Sequence, residues 1–137
     1  METKRMEQLY QKIVNIINSM LPEKWEKLHL YAEVREGYAS VFFYYYRSGS
    51  ITPIHSLDIT DKFIVDDNYF SKLEHQLYNT FRELLLEFKV QEQEIWTNLT
   101  LILRSNGKLK ITYGYENVSQ ISSVEKKEKW KAKYLGI

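Results

Sequence analysis

Between Asp66 and Lys89, Phe70, Leu73, Leu77, Phe81, Leu84 and Phe88 recur at steps of three and four residues, the spacing that aligns on one face of an α-helix. Tyr78 and Leu85 widen this stripe, and Lys72, Glu74, His75, Asn79, Arg82, Glu83 and Glu87 fill the other side. Asp66 or Asp67 supplies a start signal, because a carboxylate there accepts backbone N–H bonds and suits the positive end of the helix dipole. The same helical spacing runs through Met6, Leu9, Tyr10, Ile13, Ile16, Ile17 and Met20 and stops at Pro22. The stretch Pro22-Glu23-Lys24-Trp25 then predicts a short turn of helix that brings Trp25 to the core edge.

From Lys27 the period changes to two. Leu28, Leu30, Ala32 and Val34 alternate with Lys27, His29, Tyr31, Glu33 and Arg35, the pattern of a half-buried strand. Glu36-Gly37 offers a tight turn into a second strand, Tyr38 to Arg47, which is too apolar for simple alternation and so is expected to be covered on both faces. Ser48-Gly49-Ser50 leads to a third strand over residues 51–57, with Pro53 marking an edge or a bulge. Asp58 to Asp67 carries four aspartates against Lys62 and is expected to be an acidic loop. After the long helix, Ile95 to Arg104 and Leu109 to Tyr115 flank Asn106-Gly107, a strong hairpin signal, and Leu99, Leu101, Leu103, Leu109, Ile111 and Tyr113 share a buried face. The tail sets Trp130 and Tyr134 four residues apart among lysines and glutamates, which predicts a last, basic helix lying on the surface. The order α-β-β-β-α-β-β-α with short links between strands gives an α+β fold, a mostly antiparallel sheet of about five strands with helices packed on it.

Composition narrows the classes. A chain of 137 residues with 44% hydrophobic and 27% charged residues fits one globular domain over residues 1–137. No stretch is long and apolar enough to span a membrane and the N-terminus lacks an apolar signal core, so a cytoplasmic protein without membrane contact is expected. The absence of cysteine excludes disulfides, thiolate nucleophiles and thiolate metal sites. A net charge of +1 gives no global field for coating nucleic acid.

Candidate chemistry is sparse. His29, His55 and His75 fall in three different elements without metal-ligand spacing, and each is expected at a surface or strand edge. The phosphate-cradling glycine loops and the nucleophile elbow are missing. No enzyme activity, cofactor or metal is therefore expected. Asp58, Asp61, Asp66 and Asp67 lack the glycine and closing glutamate of a calcium loop. They read either as solvated loop and helix cap or as a local negative patch that steers the chain toward a basic partner. Phe42 to Tyr46 form an unbroken aromatic run that cannot all face one way, which makes Tyr44 and Tyr46 candidate outward anchors for a protein contact. The alternative is a nucleic-acid-associated module that stacks bases on exposed tyrosines beside the basic tail.

The segments Met20 to Val34, Asp67 to Phe88 and Trp96 to Glu116, with Trp25 and Trp96 as anchors, Gly107-Lys108 as a hairpin turn and Tyr113 and Tyr115 as strand aromatics, resemble the YezG-like antitoxins. The resemblance spans nearly the whole chain and keeps the order of elements, although its motifs are structural and carry no catalytic residues. It implies a bacterial immunity protein that binds and neutralises a cognate LXG-type toxin, a nuclease exported by type VII secretion, in the cytoplasm.

Overall fold

The computed structural model describes residues 2–137. In chain order the elements are α1 (Lys4–Met20), β1 (Trp25–Arg35), β2 (Tyr38–Arg47), β3 (Ile54–His55), a 3-10 turn (Ser56–Asp58), α2 (Ile59–Lys62), α3 (Asp67–Val90), β4 (Asn98–Arg104), β5 (Leu109–Gly114) and α4 (Ser123–Tyr134). Each long helix begins on a side chain that satisfies free backbone donors. The Thr3 hydroxyl accepts from the Met6 N–H at 3.1 Å, the Asp66 carboxylate from Asn68 and Tyr69 at 2.9 and 3.1 Å, and the Ser122 hydroxyl from Glu125 at 3.1 Å.

The strands form one antiparallel sheet in the order β3-β2-β1-β4-β5. The central strand is β1, which pairs with β2 from Arg35↔Tyr38 to Lys27↔Tyr46 and with β4 from Glu33↔Asn98 to Lys27↔Arg104. Helices α1 and α3 lie together on one face of this sheet. Leu28, Leu30, Ala32, Phe43, Tyr45, Leu99, Leu101 and Leu103 point into that face and meet the α1 stripe and the α3 stripe in one continuous core. All six residues of the long-helix stripe, Phe70, Leu73, Leu77, Phe81, Leu84 and Phe88, are buried there. Full burial of one such side chain contributes about 1.5 to 3 kcal/mol, which makes this layer the main source of stability.

Several local expectations change. Trp25 opens β1 instead of closing a helical turn, so Pro22 to Lys24 is irregular chain. The third strand shrinks to Ile54–His55, since Pro53, which has no N–H for a ladder, stands just before it. The acidic stretch is no simple loop, because it contains the end of the 3-10 turn and the single turn α2. In the β4–β5 hairpin only Gly107 has positive φ, at 92°, while the Asn106 side chain accepts from the Lys108 N–H at 3.0 Å. The largest departure concerns β1. It is buried on both faces from Leu28 to Val34, because α4 covers the side that alternation assigns to water.

Candidate protein-binding surface

The second face of the sheet is aromatic and polar. Trp130 of α4 inserts among Tyr31, Phe42 and Tyr44, with ring centroids 6.2, 5.2 and 6.2 Å away, and its indole N–H donates to the Thr100 hydroxyl at 3.0 Å. Tyr44 is consequently 7% exposed and packs edge-on against His55 at 4.4 Å, so it lies under α4 and offers no open anchor. Tyr46 is half-buried, with its ring 6.2 Å from His29. The basic tail helix is itself the cover of the tyrosine face, which takes these rings away from any base-stacking surface.

Beneath α4, Glu33 is 1% exposed and accepts four hydrogen bonds from three side chains. Lys126 donates at 2.8 and 3.0 Å, the Tyr31 hydroxyl at 2.7 Å, and Arg35 completes the cluster. Burial alone would raise this carboxyl, but the hydrogen bonds from Lys126, Tyr31 and Arg35 outweigh it and hold it below its ordinary value. Burial, and after it the same carboxylate, pushes the Tyr31 phenol upward. His29, expected at a surface, instead sits in the central strand at 3% exposure with Nδ1 unpartnered, and burial followed by the charges of Lys27 and Arg104 pushes it down to about 4. His55 is likewise pushed down to about 4, by burial and then by Lys127. Its Nδ1 accepts from the Leu57 N–H at 2.9 Å, leaving Nε2 buried without a partner. The cluster explains how a charged strand residue is tolerated in the interior; it lacks a free nucleophile or base.

The acidic stretch presents a different surface. Asp61, Asp66 and Asp67 are exposed, Asp66 also capping α3, while Asp58 at the start of α2 is half-buried. Between them Phe63 and Val65 pack against the core, and the extended backbone that connects them turns Ile64 outward. Ile64 is fully exposed, with Leu57 at 66% and Tyr69 at 52% on the same stretch. Ile64 thus stands in water between two half-buried neighbours, with aspartates before and after it in the chain. Ile64, Leu57 and Tyr69 escaped the sequence reading, because Phe63-Ile64-Val65 is an unbroken apolar run in which nothing marks the middle residue as the outward one. Asp61, Asp66 and Asp67 stand exposed on the same stretch of chain as these apolar residues, whereas Tyr44 lies under α4 and Tyr46 packs beside His29.

Among the described residues no group of three or more histidine, aspartate or glutamate side chains is placed to hold a metal ion. No described helix is long and apolar enough to cross a membrane. Residues 6–137 match the model of a family described as "Immunity protein YezG-like". The chain is 37% identical over 139 residues to "Immunity protein YezG" of Bacillus spizizenii, covering 100% of this chain and 86% of that protein. It is 34% identical over 134 residues to "Immunity protein YezG" of Bacillus subtilis, with 96% and 89% covered. "Type VII secretion system protein EsaG" of Staphylococcus aureus is 29% identical over 135 residues, with 97% and 83% covered. A family match over nearly the whole length, together with two relatives more than 30% identical over almost all of this chain, places the chain in the YezG-like immunity protein family.

Proposed function

We propose that this protein neutralises a cognate LXG-type nuclease toxin in the cytoplasm by direct protein contact, through the stretch from Leu57 to Tyr69. The observation that carries the reading is the full exposure of Ile64 between Asp61 and the Asp66-Asp67 pair, with Phe63 and Val65 packed against the core on either side of it. A nuclease attracts phosphate, so its working surface is basic, and an inhibitor gains by placing carboxylates where the phosphates would lie. Charge of this kind mainly speeds encounter. Lasting inhibition needs slow dissociation, which a desolvated apolar anchor supplies at about 2 kcal/mol or more. Ile64 and Tyr69 take the anchor role first given to Tyr44 and Tyr46.

The test mixes the purified chain with the purified nuclease domain of the toxin encoded beside it. The expected result is a stoichiometric complex on size-exclusion chromatography and loss of DNA cleavage, both weakened by Ile64→Ser. Undiminished cleavage at excess protein, or inhibition without a complex, would overturn the reading.

A further inference from the structure

The two edges of the sheet are not alike. β5 is an outer strand along its whole length and carries Lys110, with Lys108 at its entrance, the charge that commonly discourages strand pairing. On the other side β3 covers only Tyr44 and Tyr45 of β2, which leaves Tyr38 to Phe42 as an edge without a single charged residue. The direction of the backbone groups on that edge follows from the register. Backbone groups of alternate residues point to opposite sides in an antiparallel ladder, and the Phe43 N–H points outward, since it donates to the Ser56 hydroxyl at 3.1 Å. Val41 and Ala39, two and four residues earlier, therefore aim their N–H and C=O groups away from β1. Neither has a hydrogen-bond partner on that side among the described residues.

This bare edge runs along a cavity of about 270 Å³. Tyr78 of α3 and Val41 line it on the core side, Phe42 and His55 along the floor, and Lys126 and Lys127 of α4 on the other side. Lys126 is taken up by Glu33, whereas Lys127 makes no ion pair among the described residues and lies over the Phe42 ring at 5.0 Å. Backbone groups at a strand edge seek partners, and those of Ala39 and Val41 have none from the sheet among the described residues.

We propose that the β2 edge at Ala39 and Val41 is a strand-addition site, which takes an extended segment of the protein partner as a sixth strand of the sheet. The segment pairs its backbone with the free groups of Ala39 and Val41. Its side chains alternate, apolar toward Tyr78 and acidic toward Lys127. This extends the proposed function, on which it rests, by naming a second contact and the conformation of the partner there. Leu57 lines the same cavity, which joins the edge site to the start of the stretch proposed above for partner contact.

Val41→Pro is a selective probe. It removes an N–H that the β1–β2 ladder does not use, and proline is tolerated on edge strands at such positions. Amide hydrogen exchange by NMR on the full chain, free and with the neighbouring toxin's nuclease domain, reads the edge directly. The Ala39 and Val41 amides should exchange rapidly in the free protein and at least tenfold more slowly in the complex. Val41→Pro should weaken the complex about tenfold. A complex in which both amides remain open, whatever the proline variant does, would overturn strand addition and leave the proposed function standing. Protection already present in the free protein that weakens on dilution would assign the edge to a second copy of this chain and overturn the partner assignment. The absence of any complex would overturn the proposed function and this inference with it.

Discussion

The two faces of the sheet are held by different physics. On the α1/α3 face nearly every contact is apolar, and thirty ångströms of α3, at about 1.5 Å per residue, lie across the strands. On the α4 face the contacts are a tryptophan among tyrosines, a hydroxyl for its indole, and a buried carboxylate shared by a lysine, an arginine and a phenol. The first face loses stability in proportion to lost volume. The second depends on each polar group keeping its partner, since an orphaned buried charge costs far more than the pair gains. Stability is thus lodged where shape decides, and sensitivity to chemistry where charge is enclosed.

The largest effect expected separates these faces by size. Phe81→Ala empties fully buried volume in the middle of the α3 stripe and should cost about 3 to 5 kcal/mol, read from urea unfolding at constant m-value. On the other face Glu33→Gln leaves Lys126 and Arg35 without their counter-charge. It should cost about 2 to 3 kcal/mol, below the usual range for a broken buried pair because Arg35 already reaches solvent. Adding Lys126→Met to Glu33→Gln should recover most of that loss. If the double variant is as unstable as the single one, the carboxylate matters through packing and not through its charge.

Acid should sharpen the contrast further. His29 and His55 are neutral in the folded state with values near 4, whereas unfolded imidazole titrates near 6.5. Between those two pH values the unfolded chain binds protons that the folded chain refuses, so stability falls as pH drops from about 6.5 toward 4. Glu33 acts in a lower window, because its lowered carboxyl stabilises the fold above the ordinary value of 4.5 and loses that contribution only below it. A loss of about 3 to 4 kcal/mol is expected between pH 7 and pH 5, and His29→Leu should roughly halve it. A flat profile across that range would mean that the two imidazoles are not buried as described.

How far the sequence foretold this arrangement depended on the kind of signal. Helices α1 and α3 and the alternation of β1 were legible because one face of each is uniformly apolar, and periodicity records that. The two-sided cover of β2 was also legible, from a strand too apolar to face water. The cover of β1 was not, since Lys27, His29, Glu33 and Arg35 spell an open face, and Glu33 is tolerable inside through donors that include Lys126, 93 residues away in the chain. The basic composition of α4 pointed to a surface helix, and it is one on three sides; a single tryptophan turns its fourth side into a lid. Ile64 was missed because a lone isoleucine in an acidic stretch has no period, and its display depends on where Phe63 and Val65 find room.

The smallest effects on stability fall outside both faces, on the stretch where contact with a partner is proposed. Ile64→Ser, and the combined replacement of Asp58, Asp61, Asp66 and Asp67 by asparagine, should be told apart by their thermal melts. The serine variant should stay within about 0.5 kcal/mol of the parent, whereas the asparagine set should lose about 1 kcal/mol or less through the α3 cap.

Surface plasmon resonance of these same variants against the toxin's nuclease domain, at two salt concentrations, tests the central claim most directly. The asparagine set should slow association and flatten its salt dependence, while Ile64→Ser should speed dissociation about tenfold or more. Association and dissociation unchanged in both variants, with the fold intact, would contradict the account and remove the Leu57 to Tyr69 stretch from the interface.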